Sequence, residues 1–126
     1  MAGRRSKRWL LWLGAPLLLV ALLVAFWNGR DGLSKASHDL LMQWMIETST
    51  GARRIKAVVP SGAIVAHKTG TMPGVVNDAA IVTSPDGKNH VVIVVFSKAG
   101  TSEEKVREDD VAAAAKKAYE ELLPLH

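Results

Sequence analysis

The 126 residues include no cysteine, which removes disulfide frameworks, thiolate metal sites and cysteine nucleophiles together. The length leaves room for one modest domain. The net charge of +4 would suit nucleic acid, but the excess lies in Arg4, Arg5, Lys7 and Arg8; from Trp9 onward basic and acidic residues balance at 12 each. With no surplus charge left for a phosphate-tracking face, no nucleic-acid partner is expected.

The first element is apolar. Trp9 to Trp27, WLLWLGAPLLLVALLVAFW, is 19 residues without a charge. As a helix rising about 1.5 Å per residue it reaches roughly 28 Å, near the hydrocarbon thickness of a bilayer. Trp9, Trp12 and Trp27 lie near its ends, at headgroup level, and Pro16 is tolerable in such a helix. The preceding basic cluster keeps that end in the cytoplasm. The expectation is a single-pass signal anchor in a bacterial cytoplasmic membrane, with the C-terminal part periplasmic or extracellular. A cleaved signal, which would make the chain secreted, is the rival; the residues around Ala25 and after Trp27 offer no good small-x-small site. Arg4-Arg5 fits a twin-arginine signal only loosely, and a buried core helix is the third reading. The expected organisation is a basic segment at 1–8, the transmembrane helix at 9–27, a linker at 28–32 and a folded module at 33–126.

The linker NGRDG has two glycines. The next stretch, Leu33 to Gly51, predicts a helix capped by Ser34 or Ser37, with Leu40, Leu41, Trp44 and Met45 as its core stripe and Gly51 as its end. Trp44 is expected in the core. Strand patterns follow at Ala63–Lys68, Asp78–Ser84 and His90–Ser97. Pro85 and Gly87 suit a tight turn joining the last two as an antiparallel hairpin. Val91 to Phe96 is apolar at every position, the pattern of a strand covered on both faces and central in its sheet. The closing helix should begin with a Thr101–Glu104 capping box and turn Val106, Ala113, Ala114, Ala118 and Leu122 to the sheet. The fold class is therefore α+β: a transmembrane helix, then a small antiparallel three-stranded sheet flanked by two helices.

Lys68-Thr69-Gly70 stands between two strand patterns. In a serine acyl-transfer site such a strand edge does several jobs. Lys68 offers positive charge to a substrate carboxylate and to proton relay, and the Thr69 hydroxyl bonds that carboxylate. Gly70 lets a substrate lie flat as an added strand, and the Thr71 N–H serves as one arm of an oxyanion hole. His67 and His90 fall on different strands without a third ligand, so no metal is expected. Asp78 is expected to fix its strand by hydrogen bonds.

From about Leu33 to Leu123 the chain resembles the C-terminal part of class A serine β-lactamases, relatives of penicillin-binding proteins. The resemblance rests on Trp44-Met45, Gly51, Pro60 with Gly62, His67-Lys68-Thr69-Gly70-Thr71, Asn77-Asp78, Asp86-Gly87 and the closing helix. It implies a truncated β-lactamase-like fold, hydrolysis of β-lactams through a serine acyl-enzyme, and substrate binding by Lys68, Thr69, Gly70 and Thr71. It also implies a β-lactam or peptidoglycan-like carboxylate as ligand and no cofactor. The family's Ser-x-x-Lys, Ser-Asp-Asn and deacylating Glu belong upstream of Lys68, where no match occurs. One formal Ser-x-x-Lys, Ser102 to Lys105, lies downstream beside two carboxylates and reads as part of a helix cap rather than a nucleophile. Many family members place an arginine where this chain has Val75-Val76; Lys35 and Arg107 are the substitutes considered. Three readings follow: a β-lactamase-like protein inactive by itself, a non-catalytic binding or assembly module, and a gene remnant. The resemblance further implies upstream strands pairing along 91–96; with no counterpart for them here, the uncovered apolar edge is expected to self-associate or to take a strand from a partner.

Overall fold

The computed structural model describes residues 6–98 and 101–123, with side chains from 14 onward. The elements run α1 (Ser6–Trp27), α2 (Lys35–Ile46), a 3₁₀ turn (Ile55–Ala57), β1 (Ile64–Met72), β2 (Val75–Thr83), β3 (His90–Phe96) and α3 (Glu104–Leu122). The strands form one antiparallel sheet in the order β1-β2-β3, paired without interruption from Ile64↔Thr83 to Met72↔Val75 and from Asn77↔Phe96 to Thr83↔His90. The central strand among the described residues is thus the more deeply buried β2 and not, as its apolar run suggests, β3.

Both hairpins follow from their turn residues. Pro73 and Gly74, the latter at φ +78°, fit the central positions of a type II turn, where proline presets φ and glycine accepts the left-handed conformation. This turn needs only two residues, so pairing extends right up to it. β1 therefore runs four residues beyond the expected end at Lys68, and β2 starts three before Asp78. In the second hairpin the Gly87 N–H donates to Ser84 O at 2.8 Å, and the Ser84 N–H donates to Asn89 O at 2.9 Å.

Alternation along the strands sends successive side chains to opposite faces. On one face Val65, Ala80, Val82 and Ile93 meet Ile55 from the 3₁₀ turn and Ala115 and Tyr119 from α3. On the other, Ala66, Ala79 and Ile81 meet Met45 of α2 and Leu23 and Phe26 of α1. Each large side chain so buried contributes about 1.5–3 kcal/mol against its exposed state.

The N-terminal helix departs from the membrane expectation. Leu19, Leu23 and Phe26 recur at helical spacing and pack on the sheet, so the residues expected to face lipid supply one layer of the core. Among the described residues no helix is long and apolar enough to cross a membrane. Arg4 and Arg5, and the side chains of Lys7, Arg8, Trp9 and Trp12, lie outside the described residues.

Three further expectations change. Helix α2 is capped by Ser34, whose Oγ accepts the Ser37 N–H at 3.2 Å, but it stops at Ile46, well short of Gly51. Its inner side is Met42 and Met45, which leaves Trp44 61% exposed; the stripe is rotated by one position from the one expected. Helix α3 lacks the capping box: Glu103 occupies the cap position and makes no side-chain cap bond. It buries Val111, Ala112, Ala115 and Tyr119, while Val106 and Leu122 face solvent. The four-alanine run has no hydrophobic contrast of its own, so the inner face is marked only by Val111 and Tyr119, about two helical turns apart on either side of Ala115.

Candidate functional site

The alternation of hydrogen bonds in an antiparallel sheet assigns each strand residue to one edge. The Ser84–Asn89 bond sets the phase: Val82, Ala80 and Asp78 bond to β3, so Ile81, Ala79 and Asn77 bond to Ala66, Lys68 and Gly70 of β1. The backbone groups of His67, Thr69 and Thr71 consequently point away from the sheet. The His67 carbonyl accepts the Thr48 hydroxyl at 3.0 Å, as this phase requires. Beyond it, Thr69 and Thr71 offer backbone groups at the open edge of β1.

The four residues expected at the site are thus consecutive on one accessible edge. Lys68, Gly70 and Thr71 are exposed and Thr69 is half-buried. Lys68 Nζ donates to the Thr69 carbonyl at 2.5 Å, so the ammonium lies along the edge. Thr69 Oγ1 is 2.7 Å from Thr50 Oγ1, which joins the strand to the loop after α2. Gly51 in that loop, at φ +74°, passes so close that an added Cβ would stand 2.5 Å from Thr69 Cγ2 and 3.2 Å from His67 Cε1. Glycine is required there twice, for the backbone conformation and for the approach.

The arginine was missed. Lys35 pairs with Asp39 on α2, and Arg107 reaches Ser102 at 3.5 Å and no other side chain among the described residues. Arg54 does what neither can: its Nη2 donates to Thr71 Oγ1 at 2.7 Å, its Nη1 to Asn77 O at 3.0 Å and its Nε to Glu108 at 3.2 Å. At 3% exposure it is a buried cation neutralised by Glu108, which is also paired with Arg53. Arg53-Arg54 ahead of an isolated Ile was visible in the sequence, but only the fold brings that loop under the end of β1.

Below the edge, His67 and Asp78 are fully enclosed. His67 Nδ1 lies 3.0 and 3.3 Å from the two Asp78 carboxylate oxygens, and Asp78 Oδ2 accepts the Ile55 N–H at 3.2 Å. Asp78 holds structure by hydrogen bonding, as expected, though it ties β2 to β1 and to the 3₁₀ turn rather than fixing a strand start. His90 bonds to Thr83 Oγ1 at 2.9 Å and packs against Trp27 with the rings tilted by 38°. Among the described residues no three histidine or carboxylate groups converge as metal ligands. Ser102 is exposed ahead of α3, and no hydrogen bond joins it to Lys105 among those of the described residues. The site therefore offers one exposed ammonium, two hydroxyls, outward backbone groups and a buried guanidinium. These can hold an anionic, extended ligand; none of them is a base-activated nucleophile.

Comparison with known proteins follows the same line. Residues 15–122 match the family described as "Beta-lactamase enzyme family". The chain is 38% identical over 97 residues to the extended-spectrum β-lactamase PER-1 of Pseudomonas aeruginosa, covering 72% of this chain and 31% of that protein. It is 44% identical over 71 residues to a β-lactamase of Mycobacterium tuberculosis, covering 56% of this chain and 23% of the other. Among solved structures, a β-lactamase from Chitinophaga pinensis superposes with a TM-score of 0.74 at 41% identity, over 84% of this chain and 41% of its own. The TLA-1 extended-spectrum β-lactamase gives 0.77 at 37% identity, over 86% and 41%. The chain spans about a third of the length of the first curated relatives it matches.

Proposed function

From the premise that the chain belongs to the β-lactamase enzyme family and is class A-like, we propose that it forms the carboxylate-binding wall of a β-lactam site. The acyl-transfer step then depends on a serine and base that these 126 residues do not provide. One observation carries the reading. Lys68, Thr69, Gly70 and Thr71 line the open edge of β1, with Arg54 bonded to Thr71 from below.

Each group has a role in that proposal. A carboxylate seated on the Thr69 and Thr71 hydroxyls gains the charge of Lys68 directly and that of Arg54 through Thr71 Oγ1, whose polarity the guanidinium orients. Arg54 stands in for the arginine absent at Val75-Val76. The ligand body lies along Gly70 as an added strand. The Thr71 N–H is turned outward toward the position of an acyl oxygen, where it would act once a nucleophile is present. The reading applies equally to a β-lactam and to the carboxylate of a peptidoglycan-like peptide, because both present an anion beside an extended amide.

Turnover separates this reading from self-sufficient catalysis. The chain is expected to hydrolyse a chromogenic cephalosporin no faster than buffer, since loss of a nucleophile or its base lowers rates by orders of magnitude. A measurable rate that disappears in Ser102→Ala would overturn it. Export to the outer side of the cytoplasmic membrane belongs to the same proposal, supported by the basic cluster ahead of an uncharged stretch. Mass spectrometry of the protein isolated from its host checks this. A cytoplasmic chain retaining its full N-terminus would contradict it.

A further inference from the structure

The opposite edge of the sheet points to a second binding event. β3 pairs with β2 on one side and with no strand on the other among the described residues. Val91, Ile93 and Val95 bond to β2, so His90, Val92, Val94 and Phe96 turn their N–H and C=O groups to the open side. A channel of about 770 Å³ runs along this edge, floored by residues 92–96, walled by Pro16 and Val20 of α1 and by Ala114 and Ala118 of α3, and bounded by Lys98 at one end. The usual protections of an edge strand are missing: Val91 to Phe96 holds no proline, no charge and no break in register.

We propose that the occupant of this edge is β3 of a second copy of the chain, added antiparallel with Ile93 on a two-fold axis. Two features select a copy over an unrelated strand. Val91-Val92-Ile93-Val94-Val95 reads the same in both directions. Antiparallel apposition therefore sets Ile93 against Ile93 and every valine against a valine, a self-complementary patch of the kind a two-fold contact demands. The bonding phase agrees with that axis. Val92 faces the second copy's Val94, and His90 faces its Phe96, each a residue whose backbone groups are turned outward. A slip of one residue opposes outward groups to groups already bonded within the sheet. A slip of two keeps the phase but makes one rung fewer and loses the valine and isoleucine match.

The layers continue across the axis. A two-fold perpendicular to the sheet keeps its faces distinct, so the two α3 helices fall on one side of a six-stranded sheet. The channel side of α3 is alanine at 114 and 118, small enough for a close helix approach. Lys88 and Lys98 lie just beyond the paired stretch and set its ends.

The test uses the full chain and single cysteine variants, which are clean because the protein has no cysteine. Opposed residues that make no mutual hydrogen bond, as the two Ile93 would be, bring their Cα atoms to about 4.5 Å, within disulfide reach. Under mild oxidation the Ile93→Cys chain is expected to cross-link to a dimer. Val91→Cys and Val95→Cys are not, because each cysteine then faces a valine. Hydrogen exchange of the unmodified chain supplies a readout without substitution: the Val92 and Val94 amides should exchange on the order of tenfold faster on dilution, as sedimentation shifts from dimer to monomer. Equal cross-linking of all three variants would overturn the register. A concentrated chain that sediments as a monomer would overturn the dimer, whether those amides are unprotected or protected at every concentration. The protected case would mean that the edge is covered within one chain or by another partner.

Discussion

The sheet ends in two open edges that could hardly differ more. The β1 edge presents Lys68, Thr69, Gly70 and Thr71, polar and exposed, over a buried network of Arg54, Glu108, His67 and Asp78. The β3 edge presents an uncharged run of valine and isoleucine in an apolar channel. Both leave backbone donors and acceptors unpaired. At β1 the side chains are hydrated and a short polar ligand can take up the vacant bonds, whereas at β3 only another strand with an apolar body can do so without stranding polar groups. On the proposed reading, edge chemistry and not strand geometry separates a ligand site from an assembly site.

The largest expected effect lies under the polar edge. Arg54→Ala leaves Glu108 enclosed with only Arg53 for company and removes the support of Thr71. Breaking a buried ion pair from one side costs about 3–5 kcal/mol, readable as a lower denaturant midpoint. A loss below about 1 kcal/mol would show that the polar edge stands without its buried network.

Gly51→Ala is a smaller and more local break. The left-handed backbone costs roughly 1–2 kcal/mol for a residue with a Cβ, and that atom would displace Thr69. The expected outcome is a modestly destabilised chain whose Thr69 and Thr71 amide resonances move while those of Val92 and Val94 stay in place. Movement at both edges would mean that they are mechanically coupled.

Trp44→Gln should change stability by no more than about 0.5 kcal/mol, since the ring is exposed. Ile55→Ala, at a site with no exposure, should cost about 2–5 kcal/mol. A large loss at Trp44 with a small one at Ile55 would restore the core stripe that the sequence suggests.

The smallest effect is a pH response at the junction of α1 and α2. The His38 hydrogen bond to Asp31, at 2.6 Å, together with the Leu33 N–H, holds the Asp31 carboxyl below its ordinary 3.8. A carboxyl lowered by folding contributes its stability in full above pH 3.8, and that contribution is lost as pH falls through the lower, folded value. The denaturant midpoint should therefore fall as pH drops below 3.8, and Asp31→Asn should remove that part of the fall while leaving the contact of His38 with Phe26, at 4.2 Å, in place.

Much of this architecture is legible in the sequence because its signals are local. Apolar runs mark the three strands, Pro85 and Gly87 mark the antiparallel turn between the last two, and the family resemblance points to Lys68–Thr71 as the edge a ligand would meet. What the sequence could not give depends on distant neighbours. Arg54 became part of the site only because the 3₁₀ turn carries it under the end of β1. Trp44 reads as core by composition, yet α2 is rotated to bury Met42 and Met45. The apolar stretch at 9–27 satisfies the length and charge criteria for a membrane span, but Leu23 and Phe26 bury themselves in the sheet. Hydropathy alone does not distinguish lipid from a protein interior as the apolar partner.

The contrast between the edges is tested most directly by titrating the full chain with benzylpenicillin, following backbone amide resonances and penicillin concentration together. The account predicts saturable shifts at Lys68, Thr69, Gly70 and Thr71, weakened in Lys68→Ala, with Val92 and Val94 unmoved and penicillin lost no faster than in buffer. Shifts confined to the β3 edge, or steady consumption of penicillin by the chain alone, would contradict it.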